Sequence, residues 1–418
     1  MEEMEERKAK TLRQDAEQII AGAIKKVQPD EAVAQALSQM QLGSGSIYVV
    51  AAGKAAWQMA KAASVLLDGR ITRGVVITKY GHVKGALADM DCYEAGHPVP
   101  DENSFKGTQA ALELVKDLSP YDTVLFLLSG GGSALFEKPL ISAKELADLT
   151  TQLLACGADI VEINTIRKRL SAVKGGKFAK LCEPAHVCSI VLSDILGDPL
   201  DMIASGPAYP DTSSCEAALS IVRKYGFRLS EQALQCLQTE TPKELSNVET
   251  QVTGSVKNLC LAAAQECEAL GYQTVILTDQ LECEAKEAGS FLASIAKSHA
   301  KSGKQLAFLA GGETVVRLTG NGKGGRNQEL ALSAASGIAG LVGTAVFSVG
   351  SDGTDGPTDA AGGYCDWRTK QRLAGQGVDI YEALRQNDSY HALQKCGGLL
   401  VTGPTGTNVN DVAALLIK

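Results

Sequence analysis

Short apolar runs recur along the chain, and each ends in a loop rich in glycine, serine or aspartate. A segment with helical spacing then precedes the next run. Runs of this length suit buried strands, and strands that alternate with helices form parallel sheets covered by helices. We therefore expect an α/β protein with mostly parallel sheets and ligands at the carboxyl ends of its strands. The clearest runs are Ile47–Ala52, Thr123–Leu128, Val187–Leu192, Leu306–Ala310 and Thr344–Val349.

The chain is long enough for two or three domains, because it has 418 residues. A polar stretch at Thr239–Val252 interrupts the alternation and is the best candidate for a boundary. We expect an N-terminal Rossmann-like domain over residues 1–245 and a second α/β domain over residues 246–418. Apolar residues at helical spacing between Leu12 and Val27 predict an amphipathic helix near the N-terminus. In the second half, the pattern of Thr314–Leu318 predicts a further strand.

The charge balance excludes several classes of partner. A net charge of −8 argues against nucleic acid and against an anionic membrane surface. The acidic N-terminus is unlike a secretory signal, and no apolar run approaches the ~20 residues of a membrane span. Eleven cysteines without a Cys-x-x-Cys pair indicate reduced thiols. These features predict a cytoplasmic protein.

Three aspartates, Asp352, Asp355 and Asp359, lie in a glycine-rich loop that follows the run Thr344–Val349. Carboxylates repel a bare phosphate but suit a hard cation such as Mg²⁺. Glycine lets backbone N–H groups approach a ligand closely. The loop therefore suggests metal-bound phosphate chemistry, although turn formation alone would also use Asp and Gly.

Other loops carry the remaining groups that phosphoryl transfer requires. These groups are donors for phosphate oxygens, cations that screen charge, and a carboxylate that orients the attacking hydroxyl. Lys54 follows one predicted strand, and the segment Ser129–Ser133 follows another. In the second half, Gly311-Gly312-Glu313 and Gly325-Arg326-Asn327 add an acid and a guanidinium.

Two familiar nucleotide motifs fit poorly. The Gly-Lys pairs lack the leading glycine and the following Ser or Thr of a Walker A loop. Gly320-Asn-Gly-Lys-Gly-Gly325 matches G-x-G-x-x-G and keeps an NAD(P)-dependent reductase open as an alternative. That fingerprint requires an acid about 20 residues further on, and residues 331–350 contain none. No Gly-x-Ser-x-Gly elbow of a serine hydrolase occurs.

Several short motifs, in their joint order, carry a family resemblance that runs almost end to end. They are Ala51-Ala-Gly-Lys-Ala55, Gly96-His-Pro-Val-Pro-Asp101, Leu128-Ser-Gly-Gly-Gly-Ser-Ala134, Ser193-Asp-Ile-Leu-Gly-Asp198, Ile203-Ala-Ser-Gly-Pro207, Gly311-Gly-Glu-Thr314, Gly324-Gly-Arg-Asn-Gln-Glu-Leu330, Gly350-Ser-Asp-Gly-Thr-Asp-Gly-Pro357 and Thr402-Gly-Pro-Thr-Gly-Thr-Asn-Val-Asn-Asp411. The chain resembles the class II glycerate kinases, also called glycerate 2-kinases, whose C-terminal domain is of the MOFRL type.

The resemblance implies a Rossmann-like domain, a MOFRL-type domain and an active site in the cleft between them. It also implies phosphorylation of D-glycerate by ATP with Mg²⁺, usually at the 2-hydroxyl. Phosphorylation at the 3-hydroxyl, another hydroxy acid as acceptor, and a hydroxypyruvate reductase remain as alternatives. The oligomeric state stays open, a homodimer included.

Candidate roles follow from residue type and position. The catalytic candidates are Lys54, Asp194 and Arg326. Substrate binding is expected from Ser129, Gly130, Gly131, Gly132 and Ser133. Phosphate or nucleotide binding is expected from Lys174, Gly311, Gly312, Lys323, Gly325 and Asn327, and metal binding from Glu313, Asp352 and Asp355. His97 is read as an ordinary loop histidine and is left out of this set.

Overall fold

The computed structural model describes residues 2–418 and divides into two compact units. The N-terminal unit comprises Ala32–Ser193 and Asp198–Thr253. The C-terminal unit comprises the chain up to Glu31, Asp194–Gly197 and Gly254–Lys418. The division therefore falls at residue 253, close to the polar stretch that the sequence marks but beyond the expected 245.

Helices and strands alternate through the first part of the chain, as its pattern predicts. The elements are α1 (Glu2–Lys26), α2 (Pro29–Gln39), β1 (Ile47–Ala52), α3 (Ala56–Leu67), β2 (Ile71–Lys79), β3 (Met90–Ala95), α4 (Glu102–Leu114), β4 (Thr123–Leu128), α5 (Gly132–Leu135), α6 (Ala143–Ala155), α7 (Ile160–Leu170), α8 (Lys177–Leu181), β5 (His186–Leu192), a 3₁₀ turn (Ile203–Ser205), α9 (Cys215–Tyr225), α10 (Glu231–Gln238) and β6 (Val248–Gly254).

The sheet of the N-terminal unit has the strand order β3-β2-β1-β4-β5-β6, and the pairs from β3 to β5 are parallel. β1 and β4 are neighbours in register, with Ala52 opposite Leu128. Their strand-end loops, Gly53-Lys54 and Ser129–Ser133, therefore leave the sheet side by side at the edge where ligands bind in such folds.

The second part of the chain begins with α11 and ends with a strand. The elements are α11 (Val256–Ala269), β7 (Gln273–Leu281), α12 (Ala285–His299), β8 (Leu306–Gly312), α13 (Arg326–Ile338), β9 (Thr344–Gly350), β10 (Gly362–Asp366), α14 (Thr369–Gly375), α15 (Ile380–Arg385), α16 (Ser389–Cys396), β11 (Leu399–Leu400) and β12 (Asp411–Ile417). Thr314–Leu318 is irregular apart from one bridge at Val315, so the expectation of a strand there is wrong.

The sheet of the C-terminal unit is mixed, with the order β11-β10-β9-β12-β8-β7. β12 lies between β8 and β9 and is antiparallel to both, and β10 is antiparallel to β9 and to β11. β7, β8, β9 and β11 thus run in one direction. The α/β class is confirmed, but the prediction of parallel pairing holds only in part, because loops without a crossover helix lead into β10 and β12.

The opening helix α1 packs in the C-terminal unit and not in the expected N-terminal domain. Its apolar stripe, from Leu12 to Val27, shares a buried cluster with Leu259 and Cys267 of α11. Asp15 accepts hydrogen bonds from the Tyr272 hydroxyl and the Lys418 ammonium. The helical period predicted this stripe but could not identify the surface that covers it.

No helix among residues 2–418 combines the length and the apolar character that crossing a bilayer would require.

Candidate functional site

Hydrogen bonds join the loop after β1 to the loop after β4 in the N-terminal unit. The Lys54 N–H donates to the carbonyl of Gly130 at 2.9 Å, and the Ala55 N–H donates to the Ser129 hydroxyl at 3.0 Å. Gly53 has φ +126°, and a Cβ there would lie 2.2 Å from the Ser129 hydroxyl oxygen. A side chain at residue 53 would force these loops apart. Ser129 itself is buried and positions the loop.

Lys54 and His97 lie over the exposed face of the same glycine loop. A Cβ placed on Gly131 would be 3.4 Å from Lys54 Cε and 3.0 Å from His97 Nε2. Burial, and then the charge of Lys54, lower the pKa of His97, so its imidazole is neutral at pH 7. Within residues 2–418 the Lys54 ammonium makes no ion pair or hydrogen bond. This end of the loop therefore offers a cation and a neutral imidazole to an anionic ligand.

The far end of the glycine loop is held by two cations. Arg167 Nη2 and Lys174 Nζ donate to the carbonyl of Ser133 at 3.1 and 2.9 Å. Lys174 is fully buried, and its ammonium also contacts the Phe136 carbonyl at 3.0 Å and the Glu137 carboxylate at 3.2 Å. The expectation that Lys174 binds phosphate therefore needs correction, since its donors are used inside the protein. Arg167 is only half buried and can reach a ligand.

Replacing Lys174 with methionine should lower the free energy of unfolding by about 3–5 kcal/mol, because Glu137 would keep a buried charge without its partner. Burial lowers the pKa of Lys174 to about 8, which agrees with a desolvated ammonium. Urea unfolding would measure the loss, with Lys180→Met at an exposed position as the control. Unchanged stability together with a raised KM for the nucleotide would instead support the phosphate-binding role.

A second set of polar groups meets in the C-terminal unit, where β8 ends, β12 begins and α13 begins. Arg326 donates to Asp411 through Nε at 2.5 Å and Nη2 at 3.2 Å, and to Glu313 through Nη1 at 2.7 Å. The strand register causes this meeting, because Asp411 lies opposite Gly312 of β8 and Gly350 of β9. A bidentate pair of this kind fixes the guanidinium plane and leaves two N–H donors unused by these bonds.

Two carboxylates of this site, Asp352 and Asp411, lie close to the end of β9. A Cβ built on Gly350 would lie 3.4 Å from Oδ1 of Asp352 and 3.4 Å from Oδ1 of Asp411. Burial raises the pKa of Asp411. Asp411 is a functional candidate that sequence reasoning missed, although the motif ending at this residue carried part of the resemblance. Asp352 and Asp411 offer hard oxygen ligands of the kind that suits Mg²⁺, and Glu313 is joined to Asp411 through Arg326.

Asp355 belongs to the helix start and not to this carboxylate set. Its two oxygens accept from the backbone N–H groups of Asn327 and Gln328 at 3.1 and 2.8 Å, and from both side-chain amides. The Asn327 amide oxygen also accepts from the Ser348 hydroxyl. Burial raises the pKa of Asp355 to about 6. The expected metal role of Asp355 and ligand role of Asn327 therefore need correction, because both side chains are buried and bonded within the fold.

Three other predicted ligand residues also have structural roles. Gly311 and Gly312 are buried in β8, where a Cβ would lie 2.3 Å from Cys260 Sγ and 2.2 Å from the Leu281 carbonyl. The Lys323 ammonium lies 4.3 Å from the centre of the Tyr390 ring. Packing explains Gly311 and Gly312. The cation–π contact of Lys323 leaves its N–H donors available, so phosphate binding by Lys323 stays a prediction.

A cavity of about 780 Å³ opens beside Arg326 in the C-terminal unit. Its volume lies in the range of small-molecule sites. The lining combines apolar side chains, glycines, carboxylates and Arg326. The lining includes Val315, Val316, Leu318, Gly320, Gly322, Gly324, Gly325, Arg326, Asp352 and Thr354. Of the predicted residues, Gly325, Arg326, Asp352 and Asp355 line the cavity, although the oxygens of Asp355 are used at the start of α13.

Asp194 follows the carboxyl end of β5 and is half buried. Its backbone carbonyl accepts from Asn410 Nδ2 at 3.3 Å, and the same amide donates to Glu313 Oε2 at 3.2 Å. Asn410 adopts φ +63°, a conformation that Asn tolerates better than most residues. The Asn410 side chain thus connects the backbone of Asp194 to the Glu313 carboxylate by hydrogen bonds.

Comparisons with known proteins agree with the motif pattern. A family described as a domain of unknown function, DUF4147, matches residues 15–238, and the MOFRL family matches residues 306–411. A protein of Thermotoga maritima named D-glycerate 2-kinase is 53% identical over 413 residues, which cover 97% of this chain and 99% of that protein. The chain belongs to the class II glycerate kinase family.

A solved structure and a further relative extend this comparison within the class II glycerate kinase family. The crystal structure of glycerate kinase from Thermotoga maritima superimposes with a TM-score of 0.95 at 52% identity, covering 98% of this chain and all of that one. A protein of Agrobacterium vitis is 39% identical over 97% of this chain and 95% of its own length. That protein carries the provisional name of a hydroxypyruvate reductase.

Proposed function

We propose that the protein transfers the terminal phosphoryl group of ATP to the 2-hydroxyl of D-glycerate with the help of Mg²⁺. Family membership supports glycerate kinase activity. The observation that carries the chemical assignment is the contact of Arg326 with Glu313 and Asp411 beside the 780 Å³ cavity. Phosphoryl transfer depends on such preorganised charge, because the protein supplies positioning and electrostatic stabilisation.

The cavity of the C-terminal unit is the proposed nucleotide site. Val315, Val316 and Leu318 offer apolar surface to a base, and the glycine loop offers backbone close to the phosphates. Glu313, Asp352 and Asp411 would hold Mg²⁺, which would neutralise charge on the phosphates. Two N–H groups of Arg326 remain to donate to the transferring phosphoryl group, and Asp411 fixes the orientation of the guanidinium.

Asp352 and Asp355 make a matched test of the metal assignment. Asp352→Asn should raise the Mg²⁺ concentration for half-maximal rate about tenfold and leave stability unchanged. Asp355→Asn should lower the free energy of unfolding by about 2–3 kcal/mol, since its amide would face two N–H donors. Magnesium titrations and urea unfolding of both variants would measure these effects. Equal Mg²⁺ dependence in Asp352→Asn and wild type would contradict the role of Asp352.

Glycerate is assigned to the glycine loop of the N-terminal unit. Its carboxylate would find the Lys54 ammonium, the Arg167 guanidinium and the backbone of Gly130–Gly132. β5 ends at the same sheet edge two residues before Asp194. From its position in the chain just after β5, the Asp194 carboxylate is the proposed acceptor of the hydroxyl proton. The hydroxyl oxygen then forms the new bond to phosphorus while the bond to the ADP oxygen breaks.

The reductase alternative loses its motif support in this fold. Gly320 does not follow a strand directly, because an irregular segment separates it from the end of β8 at Gly312. Alternate glycines of the loop pack on a neighbouring segment: Cβ atoms on Gly320, Gly322 and Gly324 would lie 2.3, 2.5 and 2.1 Å from Gln386, Asp388 and Ser389. This packing explains Gly320 and Gly322, the first two glycines of G-x-G-x-x-G, and a Cβ on Gly325, the third, would lie 2.3 Å from Asp355 Cγ. The motif is therefore explained without a dinucleotide.

ADP release from ATP and Mg²⁺ in the presence of D-glycerate tests the proposal, with L-glycerate and other hydroxy acids as comparison substrates. We expect D-glycerate to be preferred. A parallel assay with hydroxypyruvate and NADH should show no oxidation of NADH. Rapid NADH oxidation without ADP release would replace the kinase assignment by the reductase. The cytoplasmic location stays a prediction from the sequence.

A further inference from the structure

A second cavity, of about 620 Å³, lies in the C-terminal unit between one face of α12 and one face of α13. Residues of α15, together with Arg317, Thr319 and Asn387, complete the lining. The α12 residues are four or three positions apart, so they share one helix face. The lining includes Lys286, Ser290, Ala293 and Lys297 from α12, with Glu329, Ser333, Ser336 and Gly337 from α13.

Two glycines let these helices approach each other closely. A Cβ on Gly289 would lie 2.1 Å from Ser333 Oγ, and a Cβ on Gly337 would lie 2.6 Å from Ala293 Cβ. Gly337 also leaves space beneath Lys297, whose Nζ lies 3.8 Å from that Cβ position. The Lys297 ammonium is therefore directed over the floor of the cavity.

Cations outnumber acids in this lining, against the negative charge of the whole chain. Glu287 and Glu329 face Lys286, Lys297, Arg317 and Arg385. Lys286 pairs with Glu284 at 2.8 Å and Arg385 pairs with Glu382 at 2.7 Å, both outside the lining. In the part of the chain that the structure describes, the side chains of Lys297 and Arg317 make no ion pair. The Ser336 hydroxyl is buried there without a hydrogen-bond partner.

Asn387 connects this cavity to the glycine loop at the proposed nucleotide site. Its amide oxygen accepts from the N–H groups of Thr319 and Gly320 at 2.7 and 2.9 Å. Its amide nitrogen donates to the Arg317 carbonyl at 3.1 Å and to Glu329 at 3.3 Å. Asn387 and Glu329 line both cavities. A ligand that moves Arg317 would therefore act on the first residue of the glycine loop.

We propose that the cavity between α12 and α13 binds a small phosphorylated anion and that binding restrains the glycine loop Gly320–Gly325. Lys297 and Arg317 supply the charge that a phosphate group requires. A multiply charged anion suits this set better than a single carboxylate, because one carboxylate would neutralise only one of the two cations. This site goes beyond the proposed kinase function, and its occupation does not require turnover of glycerate.

Inorganic pyrophosphate is the probe for the test, titrated calorimetrically into the full-length protein without Mg²⁺. Lys297→Glu and Arg317→Glu should each weaken pyrophosphate binding about tenfold or more. Lys301→Glu, an exposed charge reversal outside the cavity, should leave the affinity unchanged. Arg326→Gln should retain this binding event, because it alters only the other cavity. Circular dichroism would verify that every variant is folded.

Hydrogen–deuterium exchange tests the connection to the loop. Pyrophosphate should slow amide exchange in residues 317–325 of the wild type and of Arg326→Gln, but not of Lys297→Glu. Equal affinity in all variants, or binding that is lost in Arg326→Gln and kept in Lys297→Glu, would overturn the site. Binding without slower exchange in residues 317–325 would overturn its connection to the glycine loop.

Discussion

Replacing Arg326 with lysine is expected to lower kcat on the order of 10²–10³-fold while the fold is retained. Lysine keeps the positive charge but has a single nitrogen, so it cannot bond both oxygens of Asp411 and also reach Glu313. The transferring phosphoryl group would then lose oriented donors at the point where its charge develops. Steady-state kinetics with D-glycerate and ATP would measure the loss.

The control for Arg326→Lys is Arg73→Lys, which changes an exposed arginine paired with Asp91 on the N-terminal sheet. Thermal unfolding of both variants would separate a catalytic loss from a folding defect. The affinity for ATP should fall less than kcat, because the interaction strengthens in the transition state. A full-rate Arg326→Lys enzyme would show that the bidentate contact has no part in catalysis.

Replacing Lys54 with alanine should also lower kcat on the order of 10²–10³-fold. Its ammonium lies over Gly131 beside His97, where it would neutralise an anionic substrate or the transferring phosphate. The same substitution has a second readout that does not depend on turnover. Because the charge of Lys54 lowers the pKa of His97, removing that charge should raise the pKa of His97 in an NMR titration.

Lys61→Ala is the matched control, since Lys61 is exposed on the adjacent helix α3 and lies over the Trp57 ring. It should change neither the rate nor the His97 titration. A Lys54→Ala variant with a wild-type rate but a raised pKa of His97 would confirm the observed proximity and refute the catalytic role of Lys54.

Local pattern predicted the strand positions well but not the long-range pairing. β4 and β9 have the expected bounds or differ by one residue, because a continuous apolar run ends where the loop glycines begin. The place of β12 between β8 and β9 could not be predicted, since it brings together strands far apart in the chain. The partner of α1 was missed for the same reason. Periodicity identifies a buried face but not the element that buries it.

For the residues of the candidate site, too, local sequence pattern could not predict long-range contacts. Arg326, Glu313 and Asp352 could be predicted because they lie in glycine loops near strand ends, where α/β folds bind their ligands. Lys174 and Asp355 have the same local pattern, yet they are buried and bonded inside the fold. Asp411 lies at the start of a strand, where the sequence gives no functional signal by itself. Only the register of β12 places it against Arg326.

The ³¹P NMR spectrum of the product, recorded without proton decoupling, tests the central claim most directly. The reaction would contain ATP, Mg²⁺, D-glycerate and the full-length enzyme. Phosphate on the 2-oxygen is attached next to a carbon with one proton and gives a doublet, whereas phosphate on the 3-oxygen is next to two protons. We predict a doublet that grows with the ADP signals. A new phosphate monoester coupled to two protons, or no new monoester at all, would contradict the proposed 2-kinase reaction.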